Sequence, residues 1–282
     1  MMTVTVTPLT PHIGAEIKGI DLSKALSSED RETLRQAWLD HIVILVRDQK
    51  LDDSGLIDFA GCFGEVSTLA RPKEYRTEGQ QNFDDRIMLI SNIRENGEPI
   101  GALPDGEMMF HHDMMHAELP DNASVLYAVE IPSHGGNTLF ASGYAAYDSL
   151  PDDVRSPLEG RNAFHHYNYG STHRGGINGI EAFSESTHPI FRTHDETGRK
   201  AIYVNRLMTD SVVDMPRDQS DDLLGRVYDH SENAEFVYEH VWQLGDVLIW
   251  DNRCSAHART DFPDTERRLM WRCTVKGTEH PV

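Results

Sequence analysis

Val125-Leu126-Tyr127-Ala128-Val129-Glu130-Ile131 is followed by Pro132-Ser133-His134-Gly135-Gly136-Asn137 and then by Thr138-Leu139-Phe140. This reads as a strand, a turn built on two glycines, and a second strand. The same rhythm recurs on both sides. Apolar runs at 87–90, 201–204, 236–238, 247–250 and 269–275 have strand length, and Thr197-Gly198 and Gly245-Asp246 supply tight turns. Helical stretches interrupt the series only near 144–149 and 219–230. Many short strands with few helices predict a mainly β fold of the sandwich, barrel or jelly-roll kind and exclude a doubly wound α/β sheet.

Upstream, the chain is more helical. Ser27-Ser28-Glu29-Asp30 has the form of a helix start with acids in the first turn. Leu34, Ala37 and Trp38 then fall at i, i+3 and i+4, on one face. The helix runs into His41-Ile42-Val43-Ile44-Leu45-Val46, a β-branched run that reads as a buried strand. A second short helix carries Leu56, Phe59 and Ala60 on one side. From Ser67 the chain turns polar and aperiodic, and 67–106 reads as a long loop of the kind that serves as a lid. No repeat or linker divides the chain, so 1–282 is expected to form one domain.

Composition excludes several classes. Lys and Arg number 26 against 46 Asp and Glu, a formal net charge of −20. So acidic a surface repels phosphate backbones and anionic membranes, and neither nucleic acid nor membrane is expected as a partner. No apolar run approaches transmembrane length, and the N-terminal residues lack the form of a secretory signal. Cys62, Cys254 and Cys273 have no metal or disulfide spacing and suit core positions in a reducing cytoplasm.

The chemistry concentrates in Phe110-His111-His112-Asp113-Met114-Met115-His116. On an extended strand His111 and Asp113 project to the same side and can converge on one ion. With a distant histidine they would form a two-histidine, one-carboxylate face with positions left open, the arrangement of non-haem Fe(II) oxygenases. The same stretch also imitates H-E-x-x-H, with His112 and His116 binding zinc in a hydrolase. That reading needs a helix, which Pro120 and the absence of an apolar stripe disfavour. The plain alternative is a surface turn.

The C-terminal third favours the iron reading. Trp250-Asp251-Asn252-Arg253-Cys254-Ser255-Ala256-His257 places a histidine just after an apolar strand. Arg268 and Arg272 lie at one end of and within the 269–275 run, on the same side by alternation. An inward guanidinium needs an anionic partner, either an acid of this chain or a bound carboxylate.

The chain resembles the Fe(II)/2-oxoglutarate-dependent dioxygenases of the taurine and phenoxyacetate-herbicide dioxygenase group. The resemblance extends over nearly the whole chain: Gly14-Ala15-Glu16-Ile17, Gly19-Ile20-Asp21-Leu22, Phe110-His111-His112-Asp113, 132–138, Gly198-Arg199-Lys200, and Trp250-Asp251-Asn252-Arg253 leading to His257. It implies a double-stranded β-helix with Fe(II) held by His111, Asp113 and His257. It further implies 2-oxoglutarate clamped through its distal carboxylate by Arg268 and Thr138, and O2 as co-reactant. Arg272 matches the residue that holds the substrate's anionic head in the taurine enzyme, and Met114 and His116 are expected beside the substrate. The implied reaction is hydroxylation of a small organic anion, with cleavage where the hydroxyl lands beside a heteroatom, and release of succinate and CO2. Related halogenases replace the carboxylate ligand with a small residue, so Asp113 argues for hydroxylation. The family also implies a homo-oligomer, dimer or tetramer. The rival outside the enzyme class is a jelly-roll protein that keeps a metal without catalysis.

Overall fold

The computed structural model describes residues 4–68, 81–103, 106–167 and 184–282. The apolar runs pair into two opposed sheets. The larger has seven strands in the order Thr5–Pro8, Ala15–Lys18, Val43–Val46, Val247–Asp251, Ala123–Glu130, Leu269–Val275 and Met88–Ser91. The smaller runs Val237–His240, Thr138–Ser142, Ser255–Arg259, Met108–His111. Pairing is antiparallel apart from Ala15–Lys18 against Val43–Val46. Strands joined by short connections cross from one sheet to the other: Ala123–Glu130 to Thr138–Ser142, and Val247–Asp251 to Ser255–Arg259. This is the expected jelly roll.

The central strands read as unbroken apolar runs because both of their faces are covered. Leu126 and Ala128 pack between the sheets with Phe140, Leu248, Trp250 and Met270. The alternate residues Val125 and Tyr127 pack outward with Leu34, Trp38, Leu56 and Phe59 of the two N-terminal helices. The first helix, Ser28–His41, begins as predicted. Ser27 is its cap, the Asp30 amide donates to Ser27 Oγ at 3.1 Å, and the Asp30 carboxylate receives the Ser27 amide at 3.3 Å. It ends at Ile42, whose φ of 69° breaks the helix before the strand, so the strand starts at Val43 rather than His41.

The helices expected near 144–149 and 219–230 are Gly143–Ser149 and Arg217–Ser231. A third, Asp152–Leu158, is absent from the sequence reading: it is seven residues long and contains Pro157. These helices close a second core around Leu150, Val154, Leu223 and Val227. The 67–106 stretch is not one free loop. Met88–Ser91 is the edge strand of the large sheet, and Ile87, Leu89, Ile93 and Ile100 are buried in its core. Positions 69–80 and 104–105 of the expected lid lie outside the described residues. Cys254 and Cys273 are buried and Cys62 half-buried, all as free thiols.

Candidate active site

Two neighbouring strands of the small sheet bring the histidines together. His257 on Ser255–Arg259 lies directly opposite His111 on Met108–His111, and their ring centroids are 4.1 Å apart. Asp113 arrives differently from the sequence expectation. The strand stops at His111, and Asp113 sits in the turn that follows, where Met114 takes φ 56°. The turn swings the carboxylate back, leaving Asp113 Oδ1 3.9 Å from His111 Nε2 and Oδ2 3.9 Å from His257 Nε2. One ligand atom from each of His111, Asp113 and His257 lies within 4.8 Å of the others, a set that could hold a metal ion.

The electrostatics suit a cation. His111 Nδ1 lies 2.9 Å from the Met109 carbonyl, which fixes the proton on Nδ1 and turns the Nε2 lone pair toward the other two groups. Burial pushes both imidazoles toward the neutral, ligating form. Burial alone would also favour a neutral Asp113. Arg272, whose Nη2 is 2.9 Å from Asp113 Oδ2, and the Ser124 hydroxyl, donating to the same oxygen at 2.6 Å, outweigh it and hold the carboxyl well below its usual range. The site therefore presents two neutral imidazoles and one carboxylate, the donor set that suits Fe(II) with positions left open.

Arg268 sits at the entry to Leu269–Val275, 2 % exposed, with Nη1 lacking any hydrogen-bond partner among the described residues. Burial, and then the neighbouring Arg259, push its pKa down to about 9. An uncompensated buried guanidinium is a strong demand for an anion. The Gly135-Gly136 turn, with φ of 70° and 64°, packs beside it, and a Cβ on Gly136 would lie 3.4 Å from Arg268 Nε. That turn leads into Thr138, a buried residue whose hydroxyl accepts from Trp242 Nε1 at 3.0 Å. A carboxylate seated on Arg268 is the fit expected of 2-oxoglutarate. Arg259 is the residue the sequence reading missed here. It follows His257 by two positions on one strand and pairs across to Thr138, so strand alternation carries the signal.

The chain belongs to the TauD/TfdA dioxygenase family. Residues 5–274 match the taurine catabolism dioxygenase TauD, TfdA family. Pentalenolactone F synthase of Streptomyces avermitilis is 32% identical, covering 92% of this chain and 89% of that protein. The alpha-ketoglutarate-dependent 2,4-dichlorophenoxyacetate dioxygenase of Cupriavidus pinatubonensis is 30% identical, covering 97% and 98%. Among solved structures, AAD-2 in complex with Mn(II) and N-oxalylglycine superposes with a TM-score of 0.83 at 27% identity over the full length of both chains. The protein is accordingly a 2-oxoglutarate-dependent non-haem iron dioxygenase with O2 as co-reactant.

The remaining sequence candidates separate clearly. Met114 is 37 % exposed beside Asp113. His116 is buried, its ring 5.4 Å from that of Tyr167. Met115 packs with Tyr203, Leu207 and Met208, and Met108, Met109 and Tyr167 lie against this cluster. The zinc reading fails on geometry: no residue of 112–116 is helical, 113–116 forming a turn, and His112 is buried with Nδ1 3.1 Å from Asn205 Nδ2. His165 and His166 lie on the strand Asn162–Tyr167, with His165 buried and 3.1 Å from Thr209 Oγ1.

A second set, His194, Asp251 and Cys254, also clusters. Its donors are committed elsewhere. Asp251 receives Arg253 Nε at 2.9 Å and Nη2 at 2.7 Å, and His194 Nε2 lies 3.0 Å away. Arg253 extends the network to Asp195 and Glu196 and lies over the Trp38 ring. This explains the Asp251 and Arg253 of the sequence motif as a brace between the barrel and the first helix.

Proposed function

We propose that the protein hydroxylates a small organic acid, a sulfonate or carboxylate, and cleaves it where the new hydroxyl lies beside a heteroatom. In this reading His111, Asp113 and His257 hold Fe(II), which together with 2-oxoglutarate and O2 supplies the oxidising chemistry and yields succinate and CO2. Arg268, with Thr138, would hold the distal carboxylate of 2-oxoglutarate and so fix its orientation. Arg272 takes the substrate's anionic head: its Nη2 is on Asp113, while its Nε is buried without a partner. Met114 and His116, with the methionine cluster beyond them, border the substrate's apolar body. No side chain is needed as a general base. The protein supplies position and exclusion of water.

The observations that carry this reading are the two-histidine, one-carboxylate cluster and the buried guanidinium of Arg268, whose Nη1 has no hydrogen-bond partner among the described residues. The whole chain is read as one catalytic domain, in a cytoplasmic homo-oligomer whose partners are small molecules rather than nucleic acid or membrane. The net charge of −20 supports the last point, and no helix among the described residues is long and apolar enough to cross a membrane. A screen of sulfonates, aryloxy acids and amino-acid derivatives for succinate release tests the substrate class. Turnover on an anion that survives Arg272→Met with unchanged apparent affinity would overturn the anchoring role.

A further inference from the structure

Asp113 has two oxygens, and the protein treats them unequally. Oδ2 accepts from Ser124 Oγ at 2.6 Å and faces Arg272 Nη2 at 2.9 Å. Among the described residues Oδ1 accepts no hydrogen bond; it lies 3.9 Å from His111 Nε2, while Oδ2, though engaged by both donors, lies 3.9 Å from His257 Nε2. The donors thus converge on Oδ2, and Oδ1 keeps its lone pairs uncommitted.

The occupied side continues into a chain whose direction is dictated from its far end. The Trp250 indole can only donate, and its Nε1–H reaches Asn252 Oδ1 at 2.8 Å. That contact fixes the amide, so Asn252 Nδ2 must face the other way, and it donates to Ser124 Oγ at 3.2 Å. Arg272 Nη2 approaches the same Ser124 oxygen at 3.3 Å. With donors on its lone pairs, the serine hydroxyl has one proton to give, and Asp113 Oδ2 is where it goes. Trp250, Asn252 and Ser124 are all fully buried, so water does not compete. The Trp250 ring also lies 4.7 Å from that of His257.

We propose that Trp250, Asn252 and Ser124 are positioning residues that hold Asp113 to ligation through a single oxygen, which keeps an additional metal position open for the reactants. The inference rests on the reading of Asp113 as a metal ligand. These three residues belong to the large sheet and its edge: Ser124 and Trp250 stand on adjacent strands, in register with each other, and Asn252 follows directly after Asp251. They therefore couple the large sheet to a centre whose histidines belong to the small one. Without Ser124, Asp113 Oδ2 loses its closest donor and is free to turn toward the metal, closing a position by two-oxygen ligation.

The test uses Mn(II) titration and the visible spectrum of the Co(II)-loaded protein, whose intensity reports coordination number, on full-length variants. Ser124→Ala should weaken Mn(II) binding about 10- to 100-fold, as loss of a partner to a metal ligand commonly does, and change the Co(II) spectrum. Ser124→Thr, which keeps the hydroxyl, should restore both. Asn252→Asp is the sharper probe. Its carboxylate still accepts from Trp250 but claims the serine proton for itself, so it should reproduce the Ser124→Ala spectrum with Ser124 present. A merely structural role would lower thermal stability and leave the Co(II) spectrum of the folded fraction unchanged, which would overturn the proposal. Asp113→Ala is measured alongside. Mn(II) affinity preserved there refutes Asp113 as a ligand, whereas affinity lost there but wild-type in Ser124→Ala and Asn252→Asp refutes only the positioning chain.

Discussion

Replacing Arg268 with Met should move two quantities in opposite directions. The guanidinium is buried, its Nη1 has no partner, and burial with the nearby Arg259 depresses its pKa from 12.5 to about 9. That depression corresponds to about 5 kcal/mol against the charged form. Methionine forfeits the packing and the residual polar contacts of the arginine, so about 2–3 kcal/mol of net stabilisation is the figure to expect in the ligand-free protein, within the range seen when buried charges give way to apolar groups. For a chain of this length, that is a rise in melting temperature of about 4 °C. The sign with pH follows: a base whose folded pKa lies below its unfolded one costs stability at every pH under about 9 and is relieved only above it. A carboxylate on Arg268 removes the same cost. With Mn(II) present to prevent turnover, 2-oxoglutarate at a hundred times its dissociation constant should stabilise the wild type by about 2.7 kcal/mol. In Arg268→Met the lost charge-assisted hydrogen bonds should weaken binding about 100-fold and erase most of that shift. Thermal denaturation of both proteins, with and without 2-oxoglutarate, reads all four states. A variant that melts lower than the wild type when ligand-free and still gains the full 2-oxoglutarate shift would refute the reasoning.

Three further outcomes follow from particular residues. Burial raises the Asp121 carboxyl to about 6, so the folded protein holds an extra proton between about pH 4 and 6 and loses stability as pH rises through that window. Asp121→Asn, compared by chemical denaturation of the metal-free protein, should match the wild type near pH 4 and exceed it by up to about 3 kcal/mol above pH 7; a pH-independent difference would contradict this. Gly135 has φ 70°, and a Cβ there would lie 2.3 Å from the Asp261 carbonyl oxygen. Gly135→Ala should therefore displace the turn against Arg268, costing about 1–3 kcal/mol and raising the KM for 2-oxoglutarate more than it changes kcat; unchanged KM would show that the turn does not shape that pocket. Finally, the net charge of −20 repels both anions from a distance, while the attracting cations are local. Affinity for 2-oxoglutarate, measured by titration, should stay level or rise slightly with added salt, and a steep loss would contradict local attraction.

Much of the architecture was legible because strand burial leaves a trace in one dimension. Val125 to Val129 and Val247 to Trp250 are apolar throughout since the helices cover one face and the small sheet the other. His111 and His257 were likewise legible, each at a strand position with a distinctive setting. Asp113 was correctly paired with His111 on a mistaken premise: a turn with Met114 in the left-handed region, not strand alternation, brings the carboxylate round. Ser124 left no signal at all. It is a small polar residue inside an apolar strand, and its meaning comes from Asn252, 128 positions away. Arg272 was expected to meet an anion and does, but the anion within reach is Asp113. The helix Asp152–Leu158 escaped for a local reason, since Pro157 argues against a helix that tertiary packing of Val154 and Leu158 sustains.

The strand Met108–His111 lies at the margin of the small sheet, and among the described residues it pairs with one neighbour, through a register that slips between His257 and Arg259. It is four residues long and only partly buried over three of them. An ion shared between His111 and His257 would rivet this strand to the next. Metal loading would then protect the protein as well as empower it: a chain starved of iron would fray at a methionine-bearing border strand, the kind of edge at which β proteins join one another and precipitate.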